Sequence, residues 1–167
     1  MSTAIQLNHD SRLRKHNTST PVPKCRMELV EHEGMCYKVF PKKNFDDAAL
    51  DCQRRGAHLA SIHNDKENDY ITELGFQAAL NKSCELKDQM WIGFERRKTD
   101  KFVWLDYYQG NYTNWENSKP DNNLNSNKEC AQIFIQKGCE GSISQGKWND
   151  INCDLEMQYI CRGPKYS

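Results

Sequence analysis

The stretch WNDINCDLEMQYIC at residues 148–161 determines the fold, and in it a polar segment separates a tryptophan from a short apolar run. Strands are predicted at residues 146–148, which end in this tryptophan, and at residues 158–161, which contain the apolar run. Two of the eight cysteines fall in this stretch, and an even number in a small polar chain indicates disulfides made in an oxidising compartment. Zinc binding is disfavoured because no CxxC or CxxH pair occurs.

Two helices are predicted in the first half of the chain. Asn44 is expected to cap the first helix, and Cys52 lies on its apolar face. The second helix is predicted from residue 64 or 65 to about residue 79. His58, which lies between the two helices, is expected to be buried against the first one.

Strands are predicted on both sides of the helices. Residues 35–40 alternate enough to form a strand, which Pro41 is expected to end because proline has no amide donor. Further strands are predicted at residues 90–94, 102–105 and 130–135. The order of elements predicts an α+β fold in which two helices pack against antiparallel strands.

A long polar segment from Asp106 to Lys128 interrupts the strands and has neither a helical nor a strand period. Such a loop inside a compact domain is usually functional or disordered. It contains four large aromatic side chains, at Tyr107, Tyr108, Tyr112 and Trp115. These aromatic residues predict an ordered loop that packs on itself.

The composition divides the chain into one domain and two tails. Residues 1–24 form a polar N-terminal tail, residues 25–163 the domain, and residues 164–167 a short C-terminal tail. Lys plus Arg and Asp plus Glu both number 23, so the net charge of zero favours neither nucleic acid nor an anionic membrane. Residues 1–24 contain no apolar run, so we expect no leader and no membrane-spanning segment in this chain.

Three Asn-x-Ser/Thr triplets agree with the compartment that the cysteines indicate. They begin at Asn17, Asn81 and Asn111 and are candidate N-glycosylation sites. The domain is therefore expected to be secreted or to lie on the extracellular face of a membrane.

The motifs together resemble the C-type lectin-like domain family over about residues 25–162. The run at 91–94 is similar to the WIGL core strand of the family, and Trp104 and Trp115 stand where its loop-flanking tryptophans stand. Residues 148–150 match the WND motif, and Cys153 and the run at 159–161 follow it in register. The resemblance implies the C-type lectin-like fold with a long ligand-binding loop.

The resemblance also implies how the cysteines pair, which the sequence alone leaves open among 105 arrangements. It pairs Cys52 with Cys161 and Cys130 with Cys153, and it makes the N-terminal pair the hairpin bridge of the longer family members. The bridges are then Cys25–Cys36, Cys52–Cys161, Cys130–Cys153 and, for the two cysteines that remain, Cys84–Cys139.

In sugar-binding members the loop and the WND strand hold a calcium ion. The family draws its ligands from a Glu-Pro-Asn or Gln-Pro-Asp triplet, from a Glu two places before the loop cysteine, and from the Asn-Asp of WND. Here the triplet is Lys119-Pro120-Asp121, Lys128 stands two places before Cys130, and Asn149 and Asp150 are intact. Because lysine has no acceptor atom, the candidate metal ligands are Asp121, Asn149 and Asp150.

Two readings of this site follow. In the first, which is favoured, calcium does not bind and either lysine forms a salt bridge with Asp121 or Asp150. In the second, Glu129 or Glu116 replaces a missing ligand and a weaker calcium site remains. For such a site, the family resemblance of the Lys-Pro-Asp triplet to Gln-Pro-Asp implies galactose-type sugars. Glu129 is expected to face away from its neighbour Lys128, because strand side chains alternate.

The sequence predicts an extracellular recognition module of C-type lectin type that binds a glycan. The expected ligand-binding residues are Lys119, Asp121, Lys128, Glu129, Asn149 and Asp150. The alternative is a calcium-independent module that binds an extracellular protein. An enzyme is not expected, because none of the five histidines lies in a nucleophile-elbow, HExxH or Cys-His-Asn setting.

Overall fold

The structure is a computed structural model that describes Cys25 and residues 29–97, 101–121, 128–139 and 144–165. The predicted N-terminal tail and its triplet at Asn17 lie outside the described residues. None of the described helices is long and apolar enough to cross a membrane.

The described residues form one sheet and two α-helices. In chain order they are β1 (Val30–His32), β2 (Met35–Lys43), α1 (Phe45–Arg54), β3 (His58–Leu59), α2 (Asp65–Ala78), β4 (Met90–Arg97), β5 (Val103–Trp104), β6 (Lys128–Ile133), β7 (Trp148–Asn152) and β8 (Met157–Pro164). The sheet order is β1-β2-β8-β4-β6-β7, with β3 on β8 and β5 on β4. Only β4 and β8 pair in parallel among the described strands. The predicted α+β fold with two helices is confirmed.

Both helices begin after an asparagine whose side chain accepts a hydrogen bond from a backbone N–H in the first turn. The side-chain oxygen of Asn44 accepts a hydrogen bond from the Asp47 N–H at 2.9 Å, and Asn64 accepts one from the Glu67 N–H at 3.0 Å. Such caps replace hydrogen bonds that the first turn of a helix lacks. Cys52 is fully buried on α1, as its place on the apolar face predicted.

Pro41 does not end β2, so that prediction is wrong. The strand continues to Lys43, with an irregular register between Phe40 and Lys43. On the other side of β2, β1 pairs only with residues 35–37. Pro41 therefore lies at an open edge, where its missing N–H removes no hydrogen bond from the sheet.

His58 is exposed rather than buried against α1. It lies on β3, where the next residue, Leu59, pairs with Cys161 and is almost completely buried. Because successive strand side chains point to opposite faces, His58 must point to solvent.

The long loop is ordered over residues 105–121 but packs on itself only in part. The Tyr112 ring packs edge-on against Trp148 at 5.7 Å between centroids, and its hydroxyl donates to Asp65 at 2.8 Å. Tyr107, in contrast, remains 83% exposed. The described part of the loop is therefore attached to the core at Tyr112, while the Tyr107 ring is exposed to solvent.

Four disulfides connect the elements; three are the pairs that the family resemblance implies, and the other one joins the two cysteines that remain. They are Cys25–Cys36, Cys52–Cys161, Cys84–Cys139 and Cys130–Cys153. The second of these joins α1 to β8 across 109 residues of sequence. The fourth closes β6 onto the end of β7, which fixes the base of the long loop.

Candidate functional site

The candidate site is built on β7, whose first residue is held from two sides. The indole N–H of Trp148 donates to the side chain of Asn68 on α2 at 2.8 Å. The Trp148 backbone N–H donates to Asn114 O at 2.9 Å, and its carbonyl accepts from the Glu116 N–H at 2.8 Å. These bonds attach the long loop beside β7, so Asn149 and Asp150 follow a fixed anchor.

Lys119, Asp121 and Asp150 come together where the loop meets β7. The Asp121 backbone N–H donates to the Asp150 carboxylate at 3.1 Å. The Lys119–Pro120 peptide bond, which precedes Asp121 in the loop, is cis. The Lys119 ammonium lies 2.6 Å from Asp121 Oδ2 and 3.4 Å from Asp150 Oδ1. Burial opposes the charge of Lys119, but the two carboxylates outweigh it and raise the pKa of this lysine.

Lys128 and Glu129 face opposite ways on β6, and it is Glu129 that turns towards the cluster. The Lys128 ammonium lies 2.5 Å from Asp46 on α1, away from Asp150. Glu129 is buried and pairs with Arg96 at 2.5 Å. Burial raises the pKa of Glu129, and the nearby charge of Asp150 adds to this.

The register of β6 and β7 explains this arrangement. Glu129 pairs with Asn152, and Ala131 pairs with Asp150, so Glu129 and Asp150 lie on the same face. Asn149 pairs with Gln132 on the other face and is buried. The structure thus brings together Lys119, Asp121, Asp150 and Glu129, but it places Lys128 and Asn149 on the opposite face.

Comparison with known proteins identifies the family. A family model described as Lectin C-type domain matches residues 41–163. The chain belongs to the C-type lectin domain family. It is 33% identical over 135 residues to a lectin of Pleurodeles waltl, covering 78% of this chain and 71% of that protein. It is 31% identical over 142 residues to a C-type lectin mannose-binding isoform of Oxyuranus scutellatus, covering 83% and 82% of the two chains.

Solved structures agree with this assignment. The mouse scavenger receptor C-type lectin carbohydrate-recognition domain is 26% identical with a TM-score of 0.66, covering 85% of this chain and 99% of that one. A calcium-independent type II antifreeze protein shares the fold at 24% identity, with a TM-score of 0.66 and coverage of 85% and 95%. The latter likeness concerns the fold alone.

The side chains that the structure describes at the site of this C-type lectin domain do not fit a calcium ion. Calcium takes six to eight oxygen ligands, with carboxylates supplying most of the charge. Here the Lys119 ammonium stands beside Asp121 and Asp150, and Glu129 is already paired with Arg96. Within the described ranges, no three Asp, Glu, His or Cys side chains are placed to hold a metal ion.

The second reading of the site needed Glu116 or Glu129 as a replacement ligand. Glu116 is buried and accepts hydrogen bonds from the Asn117 N–H at 2.9 Å and the Ser144 N–H at 3.0 Å. Its carboxylate therefore holds the backbone of two loop segments together. Glu129 is occupied by Arg96, so neither carboxylate stands ready to bind an ion.

A second polar cluster of this C-type lectin domain, around His63, was not predicted. His63 Nε2 lies 2.9 Å from Ser61 Oγ, and Nδ1 lies 3.2 Å from Glu67. Burial lowers the pKa of His63, and Arg162 contributes to the decrease. Ser61 is buried and its hydroxyl donates to Asp106, so the cluster is not arranged as an accessible nucleophile with its base.

Sequence reasoning also missed Asn68 and Arg96, each of which supports the site from a distant part of the chain. Asn68 orients Trp148 from 80 residues away, and Arg96 neutralises Glu129 from 33 residues away. Neither residue belongs to a motif, and only the sheet topology brings them to the site.

Proposed function

We propose that this chain is an extracellular recognition module that binds a glycan without calcium, and that it is not an enzyme. The observation that carries the proposal is the Lys119 ammonium, 2.6 Å from Asp121 and 3.4 Å from Asp150. This internal cation holds the loop against β7, which is the task that an ion performs in calcium-binding members. The four disulfides support an extracellular location.

The Lys119–Asp121 pair can recognise hydroxyl groups directly. The ammonium has three protons and the carboxylates engage two of them, so one proton can be donated to a ligand. Asp121 is partly exposed and can accept a hydrogen bond beside this donor. One donor and one acceptor side by side suit two neighbouring hydroxyls of a sugar ring. Asp150 is buried and positions both groups.

The proposed set of ligand contacts is smaller than the sequence prediction. Lys119 and Asp121 would contact the ligand, while Glu129 and Asp150 would set the charge beneath them. Lys128 is paired with Asp46 and Asn149 faces Gln132, so neither is included. The calcium-independent antifreeze protein with this fold supports the view that the fold can do without the ion.

Protein recognition is the second candidate, and the same ion pair favours it. Calcium binds sugar hydroxyls by direct coordination, whereas a lysine in its place can only donate a hydrogen bond to them. A charged pair of fixed geometry at the surface also suits the polar rim of a protein interface.

A glycan array in EGTA tests the proposal. We expect selective retention of neutral glycans that calcium does not strengthen, and loss of this retention in Lys119→Met. Lys66→Met, at an exposed position on α2, is the matched control and should behave as wild type. Binding that appears only when calcium is added would contradict the proposal, and an empty array would favour the protein-binding alternative.

A further inference from the structure

Two exposed apolar features stand beside the two Asn-x-Ser/Thr triplets that the structure describes. Among the large apolar side chains of the described residues, Leu80 is 100% exposed and Tyr107 is 83% exposed, more than any other. Leu80 immediately precedes Asn81, and Tyr107 lies four residues before Asn111. Both asparagines are exposed and lie outside helices and strands, where a transferase can reach them.

The first feature is a groove of about 440 Å³ between β2 and the end of α2. Its wall is mostly apolar and includes Phe40, Pro41 and Leu80, and Asn81 itself forms part of the lining. The volume falls in the range of about 300–1,000 Å³ that small-molecule sites occupy. A group attached to Asn81 therefore begins at the groove rather than having to reach it.

Polar groups at the same groove suit the hydroxyls of a sugar. Lys42 and Asp88 line it and form an ion pair at 2.5 Å. The backbone carbonyl of Asn81 accepts a hydrogen bond from Gln136 at 3.2 Å, which fixes the attachment point. An apolar wall with a polar rim matches a pyranose ring, which has a C–H face and hydroxyl edges.

The second feature is the exposed ring of Tyr107 at the start of the long loop. This residue has a φ of 63°, a left-handed conformation that is strained for a bulky side chain. Hydrogen bonds maintain it, since the Tyr107 N–H donates to Trp104 O and the Gln109 side chain donates to Tyr107 O. The ring remains exposed, so a group attached at Asn111 can cover it.

We propose that N-linked glycans on Asn81 and Asn111 cover these two features, the first sugar at Asn81 lying in the groove and the glycan at Asn111 lying over Tyr107. In the attachment step, the asparagine Nδ2 forms a bond to C1 of a sugar carried on a lipid diphosphate. The C1–O bond to the diphosphate breaks, the diphosphate leaves, and the amide loses one proton. The inference rests on the extracellular location that we propose above.

The test uses the full chain secreted with an added leader from cells that make high-mannose glycans. Peptide mass spectrometry should find Asn81 and Asn111 occupied. Endoglycosidase H, which leaves the first sugar, should preserve slow hydrogen exchange at residues 80 and 81, which line the groove outside helix and strand. Peptide N-glycosidase F, which removes all sugar from the folded protein, should abolish that protection and increase binding of an apolar dye.

Single variants assign each effect to its own glycan. Asn81→Gln should lose protection only at residues 80 and 81, and Asn111→Gln only at residues 109 and 110. Asn17→Gln, which removes the third triplet, is the control and should change neither region. Because the enzymatic removal acts on folded wild type, the test holds even if a variant fails to fold.

Two outcomes would overturn the inference. One is a secreted chain that carries no sugar at Asn81 and Asn111, and the other is full removal of the sugar without any change in exchange or dye binding. Neither outcome touches the proposed function, because retention on the glycan array in EGTA is measured separately and depends on Lys119.

Discussion

Among single residues, Lys119 has the largest effect on the charge of the site, because its ammonium lies between two carboxylates. In Lys119→Glu a third carboxylate would join Asp121 and Asp150, and Glu129 would lie nearby. We expect this variant to be less stable than wild type in EGTA by about 1–3 kcal/mol, because like charges replace a partly buried pair.

The same variant should respond to calcium, whereas wild type should not. A ligand that binds only the folded state raises stability by RT ln(1 + [L]/Kd), about 2.7 kcal/mol at a hundredfold excess over Kd. Thermal unfolding of both proteins in EGTA and in millimolar calcium measures this. Lys66→Glu carries the same charge change at an exposed position of α2 and should show no calcium response. An equal calcium shift in wild type would refute the role given to Lys119.

Gln132 and Gln89 form a matched pair of fully buried glutamines with opposite surroundings. Neither atom of the Gln132 amide has a hydrogen-bond partner within the structure. The amide of Gln89 donates to Glu85 O at 3.0 Å and accepts from the Ile135 N–H at 2.9 Å. An unsatisfied buried amide costs free energy, while a satisfied one stabilises.

We therefore expect Gln132→Leu to raise the free energy of unfolding by about 1 kcal/mol and Gln89→Leu to lower it by about 1–3 kcal/mol. Urea unfolding with a common slope measures both changes. If Gln132→Leu destabilises the domain as much as Gln89→Leu does, the Gln132 amide must have partners after all. No sequence pattern distinguishes the two glutamines, because the Ile135 N–H that satisfies the Gln89 oxygen comes from 46 residues away.

At the scale of elements, the helices were predictable and the strand limits were not. The caps at Asn44 and Asn64 depend on residues three positions away, so local sequence carries the signal. Strand length depends on a partner elsewhere in the chain, and for this reason β2 extends past Pro41. The same limit applies to the site, since alternation separates Lys128 from Glu129 but only the register with β7 shows which one faces Asp150.

Asp51 joins α1 to β8, and its carboxylate makes this contact sensitive to acid. It accepts hydrogen bonds from Arg55 at 2.7 Å and from the Tyr159 hydroxyl at 2.6 Å. The hydrogen bond from Arg55 is the largest cause that lowers the pKa of Asp51 to about 2, from an ordinary value of 3.8. A depressed pKa means that the folded state holds this proton less tightly than the unfolded chain does.

The stability that Asp51 contributes should be complete above about pH 5 and should be lost as the pH falls from about 4 to about 2. We expect this contribution to be about 1–2 kcal/mol. Urea unfolding at several pH values should show a smaller acid loss in Asp51→Asn than in wild type. Asp154→Asn, at an exposed position beyond β7, is the control and should retain the wild-type slope. Parallel pH profiles for all three proteins would contradict the assignment.

At the scale of the whole molecule, the disulfides set the connectivity that the sequence alone left open. Eight cysteines permit 105 pairings; family resemblance, rather than physical argument, gave three of the four bridges, and the last two cysteines were paired by elimination. The cysteine content indicated an oxidising compartment. The Cys52–Cys161 bridge then places α1 against β8, and the Cys130–Cys153 bridge closes the base of the long loop. A lysine–aspartate pair at the site was predicted, but which lysine forms it was not, because that depends on how the loop lies on β7.

Two of the disulfides differ in how deeply they are buried, so comparing them distinguishes stabilisation by chain entropy from stabilisation by packing. Cys52–Cys161 spans 109 residues and Cys84–Cys139 spans 55. The stabilisation that a disulfide gives by restricting the unfolded chain grows only with the logarithm of the span. It is therefore about 5 kcal/mol for the first bridge and about 4 kcal/mol for the second. Cys52 and Cys161 are fully buried, whereas Cys84 is exposed. Replacing the first pair should also leave a cavity in the core.

We therefore expect the double variant Cys52→Ala with Cys161→Ala to be unfolded at 37 °C, because its loss approaches the whole stability of about 5–15 kcal/mol of an ordinary domain. The matched variant Cys84→Ala with Cys139→Ala should fold and lose no more than about 4 kcal/mol. Near-ultraviolet circular dichroism and urea unfolding distinguish the two. Losses that differ by only about 1 kcal/mol would show that chain entropy alone determines what these two bridges contribute, and that the burial of Cys52 between α1 and β8 adds nothing.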